Sequence, residues 1–262
     1  GGFSTHDASM AFFENPMILL VCIIFMILSG VNFALHFVAW RAKSFTHYFL
    51  DPEFLFYATM IAGGVAVTVA YLMYSQTYNA AEAAIIGSFE FISILTTTGF
   101  GVADFSIWPT FLPFFIFFFA FMGGCAGSTG GGVKMIRVLL IIKQGGREIK
   151  RLIHPNAIFP IKVGAKTVSD RVIEAVWGFF GIYVIAYLIL TLLLLATGLD
   201  FLTAFSAVGA CINNLGPGLG SVAANYGEIS DLAKWLLCFA MLLGRLEVFT
   251  LLVLFAPSFW KH

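Results

Sequence analysis

The sequence predicts an all-α, polytopic membrane protein, and two observations carry that expectation. Of 262 residues, 60% are hydrophobic and 11% are charged, against about 25% charged in a soluble domain. Apolar stretches of ~20 residues recur along the chain, each long enough to cross a ~30 Å hydrocarbon core. They are continuous rather than alternating, which argues against the strands of a β-barrel. The formal net charge of +0 points to no polyanionic partner such as a nucleic acid. The chain opens on Gly1 and Gly2 with no Met and no visible signal peptide, and it reads as a fragment or cleaved product of a longer protein.

Taken in order, long apolar segments cover residues 16–40, 54–74, 109–142, 172–196 and 232–256. Shorter ones, over 81–95 and 200–212, cannot span and suit re-entrant helices that enter and leave by the same face. The 109–142 segment exceeds one crossing, and its surplus is the stretch GGCAGSTGGGVK at residues 123–134. Glycine costs ~0.8–1.0 kcal/mol in a helix relative to Ala, so this span is expected to break into an irregular insertion near mid-membrane. Two other readings of the stretch exist: a flexible contact admitting a neighbouring helix, and a phosphate-binding loop. The second fits poorly, because Lys134 comes one place late after GxxxxG and no Ser or Thr follows it.

Basic residues set the orientation. Arg41 and Lys43 follow the first span, Lys143, Arg147, Lys150, Arg151, Lys162, Lys166 and Arg171 lie between the third and fourth, and Lys261 follows the last. Even numbers of crossings separate these groups, so all three can be cytoplasmic. The other side receives Asp7, Glu14, Glu82, Asp104, Asp200, Glu228 and Asp231 against Lys234. An acidic outer mouth concentrates cations, or it simply mirrors the positive-inside bias. His6 and Asp7 border that mouth either as cation attractors or as ordinary surface polar residues. The basic linker suits anionic lipid or a cytosolic partner. Cys22, Cys125, Cys211 and Cys238 show no CxxC spacing and read as buried, reduced thiols.

A repeat runs through these elements: span, polar turn, short helix, glycine-containing strip, span. The strips are TTTGFG at residues 96–101 and NNLGPG at 213–218, and the opening GGFSTHD fits the same slot with Gly2 laid on Gly99. Such repetition predicts pseudo-symmetry about a shared axis. Glycine lets successive carbonyls turn toward that axis, where rings of carbonyl oxygens replace an ion's water shell. Each short helix ends just before its strip, so its negative C-terminal dipole favours a cation there.

GGFSTHDAS, TTTGFG, GSTGGGVK and NNLGPGLG, in this order and spacing, resemble the Trk/Ktr/HKT superfamily of potassium transporters. The resemblance covers the whole chain. It implies a potassium-channel-like, pseudo-fourfold arrangement of span–pore helix–filter–span units, of which this chain holds the C-terminal part. Residues 1–50 would be the end of the second unit, 51–145 the third, 146–171 a cytoplasmic linker and 172–262 the fourth. By resemblance the filter consists of Gly1, Gly2, Phe3, Thr96, Thr97, Thr98, Gly99, Asn213, Asn214, Leu215 and Gly216, with K+ as the permeant ion and no organic cofactor. The gate would be a loop containing Gly123, Gly124, Gly127, Ser128, Thr129, Gly130, Gly131 and Gly132, blocking the pore under the filter with Arg245 against it.

An arginine at the middle of the last segment is costly, and loop carbonyls give its five donors partners. Glu247, two positions on, points to another side of the helix and is a poor partner. The resemblance further implies a multi-pass protein of the bacterial inner membrane, a homodimer, and regulation by a TrkA-like cytosolic nucleotide-binding ring protein. The Phe-rich face at 111–121 serves lipid or a partner equally. Two rival functions remain. A secondary transporter coupling K+ to Na+ or H+ would need a mid-membrane titratable group, for which Glu90 is the modest candidate, although Glu90 suits a structural hydrogen-bond partner better. An intramembrane enzyme would use Ser128 as nucleophile, but no evident His or Lys dyad accompanies it, and the chain is not expected to be an enzyme.

Overall fold

A computed structural model describes residues 1–6, 8–13, 15–255 and 257–260, without the side chains of 252, 255 and 258. Asp7, Glu14 and Lys261, expected at the outer mouth or on the basic side, lie outside the described residues. Among the described residues the regular structure is helical, with one two-strand hairpin in the linker.

Helix α1 (Pro16–Ser29) begins on Asn15, whose side chain accepts from Met17 N, and α2 (Phe33–Ala42) begins on Asn32, which accepts from Ala34 N. The two meet at 96°, so the continuous span expected over 16–40 is corrected to a bent pair. The physical cause is local. Gly30 and the Asn32 cap stop one helix and start another, and a Cβ on Gly30 would overlap the Tyr57 hydroxyl, which donates to the Ile27 carbonyl at 2.9 Å. A short α3 (Thr46–Leu50) leads to α4 (Pro52–Tyr74). Proline at N1 and the Asp51 cap on Phe54 N (2.8 Å) fix where α4 starts.

The first of the short apolar segments is α5 (Ala80–Leu95), capped by Asn79. Helix α6 (Phe111–Phe119) stops at the irregular stretch 120–134, and α7 (Met135–Ile153) follows it. The linker carries β1 (Lys162–Val163) antiparallel to β2 (Lys166–Thr167), and Arg147 on α7 clasps Asp170 at 2.7 Å. Helix α8 (Asp170–Ala196) precedes the second short apolar helix, α9 (Phe201–Ile212). Hydrogen bonds from the Thr203 side chain and backbone N–H hold the Asp200 carboxyl below its ordinary range, as suits a helix cap.

Helix α10 (Asp231–Arg245) and α11 (Phe249–Phe255) replace the single span expected over 232–256. The helix breaks there because Glu247 adopts a left-handed conformation (φ 50°) and turns its carboxylate onto Arg137 at 2.6 Å. Among the described residues, α4 and α8 are long and apolar enough to cross a membrane unaided, and the bent α1–α2 pair qualifies when counted as one span.

Helices α5 and α9 form the core. Helix α5 is wrapped by α1, α4 and α6, and α9 by α8 and α10; residues 89–95 and 206–212 are all buried. An apolar helix covered on every side is a core element rather than a surface one. Its close contact with α4 depends on Gly64, where an added Cβ would fall inside the Phe91 ring. Overpacking of this kind costs about 1–3 kcal/mol. Gly64→Ala in the full-length protein is therefore expected to lower the thermal midpoint in detergent by several degrees. An unchanged midpoint would show that the α4–α5 contact is looser than described.

Candidate functional site

Helices α5 and α9 end in the same way. Thr98 N donates to Ser93 O (2.8 Å) and Thr97 N to Ile94 O (3.0 Å); Leu215 N donates to Ala210 O (2.8 Å) and Asn214 N to Cys211 O (3.0 Å). This is a Schellman closure, with Thr97 (φ 56°) and Asn214 (φ 53°) at the left-handed position that glycine usually takes. A β-branched Thr there is strained, and strain of this kind concentrates at functional segments.

Beyond the closures the strips converge. Gly2, Gly99 and Gly216 all have positive φ. A Cβ on Gly99 would overlap the Leu215 carbonyl oxygen, one on Gly2 would overlap that of Gly99, and one on Gly216 would lie 2.8 Å from the Gly1 oxygen. Gly2 N donates to Thr98 O at 2.8 Å. The Gly1 nitrogen lies 2.9 Å from the Thr98 carbonyl oxygen and 3.2 Å from that of Thr97.

Each strip is tied back to its own helix. Ser93 Oγ donates to Phe100 O, Glu90 Oε1 accepts from Val102 N (2.5 Å) and Ala103 N (2.9 Å), and Ser206 Oγ both accepts from and donates to the Leu219 backbone. The carboxylate of Glu90 thus holds backbone, in keeping with its reading as a structural partner. The Asn213 side chain accepts from Tyr183 and donates to Gly209 O, so it is engaged with α8 and α9 and does not use its own backbone carbonyl. On one side a cavity of ≈ 570 Å³ opens over the strips, lined by Phe3, His6, Asp104, Pro217 and Tyr226 among others. Phe3 itself is 92% exposed.

On the other side of the strips lies the glycine stretch. A Cβ on Gly130 would sit 3.1 Å from the Thr96 carbonyl oxygen, and one on Gly131 would overlap that of Asn213. Those are the first carbonyls of the two strips. Gly131 N also donates to Thr97 Oγ1 at 2.6 Å. The other flank of the loop leans on the α1–α2 bend. Cys125 N donates to Gly30 O (2.8 Å), Thr129 N to Ser29 O (3.3 Å), and Phe33 N to Gly127 O (3.2 Å). Gly123, Gly127 and Gly132 have positive φ, and the Ser128 hydroxyl is buried without a partner. Lys134 Nζ donates to the Gly130 carbonyl, so it closes the loop on itself rather than serving a phosphate.

Arg245, at the last residue of α10, donates to Thr129 O at 3.4 Å. Glu247 is engaged elsewhere, with Arg137, whose guanidinium also lies 4.2 Å from the Phe179 ring centroid. The four cysteines are free thiols; Cys125 and Cys211 are buried and Cys22 is half-buried, whereas Cys238 is exposed, which corrects the expectation that all four are buried. Sequence reading missed Glu53. This buried carboxylate accepts from Ala126 N (2.6 Å) and Ile136 N (3.1 Å). Its only signal was an acid in the first turn of a helix, which is commonplace.

The TrkH family model, described as cation transport protein, matches residues 1–262. The Trk system potassium uptake protein TrkH of Halomonas elongata is 52% identical over 261 residues, covering 100% of this chain and 54% of that protein. TrkH of Escherichia coli K12 is 47% identical over 263 residues with the same coverage, and TrkG of that organism is 40% identical over 261. The crystal structure of the potassium transporter TrkH from Vibrio parahaemolyticus aligns with a TM-score of 0.95 at 48% identity, covering 100% of this chain and 56% of that one. The chain spans about half the length of the curated relatives it matches. With a family model running its full length and a crystal structure of the same family aligning throughout, this chain belongs to the TrkH family of membrane cation transporters.

Proposed function

We propose that this chain supplies part of a potassium-conducting pore, in which ions move down their electrochemical gradient through a filter of backbone carbonyls. One observation carries this reading: strips from three separate places in the sequence meet at Gly2, Gly99 and Gly216, where a Cβ on any of the three would crowd or overlap a backbone carbonyl of another strip. Converging backbone carbonyls of this kind replace the water shell of a cation. The C-terminal dipoles of α5 and α9 favour the same charge, and K+ is the ion named for the relatives.

Resting against Thr96 and Asn213, the glycine loop acts as the gate, with Arg245 adding a positive charge beneath the filter. In this reading the units are 1–50, 51–145 and 172–262 around a pseudo-fourfold axis, with 146–171 as a cytoplasmic linker. The protein crosses the bacterial inner membrane several times, as a homodimer, and a TrkA-like nucleotide-binding ring protein acts on the gate from the cytoplasm. Coupled transport is disfavoured because Glu90, the titratable candidate, already holds two backbone N–H groups.

The strips are unequal, Thr-Thr-Thr against Asn-Asn-Leu, so selectivity should be softer than that of four identical loops. Single-channel recording of the full-length protein is expected to give currents that reverse at the potassium equilibrium potential regardless of the proton gradient. Rubidium and some sodium should also be carried. A reversal potential that moves with pH would replace the channel by a coupled transporter.

A further inference from the structure

We propose that Glu53 is the anchor of the glycine loop: a positioning residue whose single carboxylate oxygen ties the loop's entry to its exit. The inference rests on the gating role assigned to the loop above. Glu53 is 8% exposed and sits in the first turn of α4, just after the Asp51 cap and Pro52. Its Oε1 accepts from Ala126 N at 2.6 Å and from Ile136 N at 3.1 Å. Those two amides bracket residues 127–134, the part of the loop that meets Thr96, Thr97 and Asn213.

Neither amide is otherwise provided for by regular structure. Ala126 lies in the irregular stretch, and Ile136 is in the opening turn of α7, where amides have no intrahelical acceptor. Lys134, the residue before α7, offers no side-chain cap. Glu53 therefore does from another helix what a capping residue does from within, and it draws the loop's two ends onto α4. The Lys134–Gly130 contact then closes the loop between those ends. With the acceptor gone, two buried N–H groups lose their partner, and the bracketed segment is free to leave the strips.

The loop carries its own reporter, since Cys125 is a free thiol only 1% exposed and adjoins Ala126. Cys211, on α9, is also a buried free thiol, and it reports on that helix. The test is maleimide labelling of the full-length protein in liposomes, with Cys125 or Cys211 as the sole cysteine. Glu53→Ala is expected to speed Cys125 labelling about tenfold, the consequence of losing a buried hydrogen-bond acceptor, and to leave Cys211 at its parent rate. Glu53→Gln keeps a carbonyl oxygen and should return Cys125 close to the parent rate.

Unchanged Cys125 labelling, or Cys125 and Cys211 accelerating together, would overturn the proposal, as would Glu53→Gln behaving like Glu53→Ala. Ion flux measured on the same liposomes separates this from the gating reading. Faster Cys125 labelling with unaltered flux keeps Glu53 as the anchor and removes the gate; slow labelling in Glu53→Ala, beside raised flux in Arg245→Ala, does the reverse.

Discussion

Replacing Arg245 with Ala is expected to raise potassium or rubidium flux about tenfold in liposomes that lack any cytosolic partner. The effect comes mainly from charge. The Arg245–Thr129 contact of 3.4 Å lies beyond the 2.7–3.2 Å range of good N–H···O bonds, so as a hydrogen bond it contributes little. A guanidinium beside the loop acts on every cation that approaches from below, and at membrane depth that repulsion is poorly screened. Glu247 would cancel it were it not paired with Arg137 at 2.6 Å. A change of ~1.4 kcal/mol in the barrier corresponds to the expected tenfold. Arg245→Lys keeps the charge and loses the fork of donors, so it should stay near the parent flux. If Lys matches Ala instead, the hydrogen bond is what holds the gate; if Ala leaves flux unchanged, Arg245 has no gating role.

That arrangement shows which parts of the site could be read from sequence. The two short apolar helices were legible nearly to the residue: 81–95 against Ala80–Leu95, and 200–212 against Phe201–Ile212. Asn79 and Asp200 announce their starts as N-caps, and glycine strips announce their ends. The glycine loop was legible because its composition contradicts a helix. The two other breaks were not. Between residues 29 and 33 only Gly30 and the Asn32 cap interrupt an otherwise apolar run, and a hydropathy window averages over both. Between 245 and 249 there is neither glycine nor proline, and the turn depends on Glu247 reaching Arg137, 110 positions away in sequence. Glu53 escaped for the same reason: its partners lie 73 and 83 positions away, and nothing local distinguishes it from a first-turn acid.

The breaks share one physical consequence. The α1–α2 bend, the glycine loop and the α10–α11 turn each interrupt a helix at a place where another segment uses the groups the break exposes. The α1–α2 bend offers Ser29 and Gly30 carbonyls to the loop. The loop offers its own backbone to the strips, and the α10–α11 turn frees Glu247 to hold Arg137 and leaves Arg245 at a helix end facing Thr129. Irregular backbone at membrane depth is tolerated only where protein or a watery path covers it, so three interruptions serving one another are mutually stabilising where any one alone would be costly.

The filter admits a harsher test. Gly99→Ala is expected to reduce ion flux by at least about 100-fold while the protein still inserts and remains monodisperse. The backbone at Gly99 has φ 81°, a region costing a residue with a Cβ about 1–2 kcal/mol. Worse, that Cβ would overlap the Leu215 carbonyl oxygen and stand 2.8 Å from Gly2 N, so two other strips must retreat to admit one methyl group. Displacing Leu215 turns a carbonyl off the shared axis, which is the geometry that replaces a cation's water shell. Gly63→Ala is the control: it lies in α4, a Cβ there meets nothing within 4 Å, and Ala favours a helix by about 0.5–1 kcal/mol over Gly. Flux through Gly63→Ala should equal that of the parent. Parent-like flux through Gly99→Ala would mean that ions do not pass between the converging strips, whatever the state of the loop beneath them.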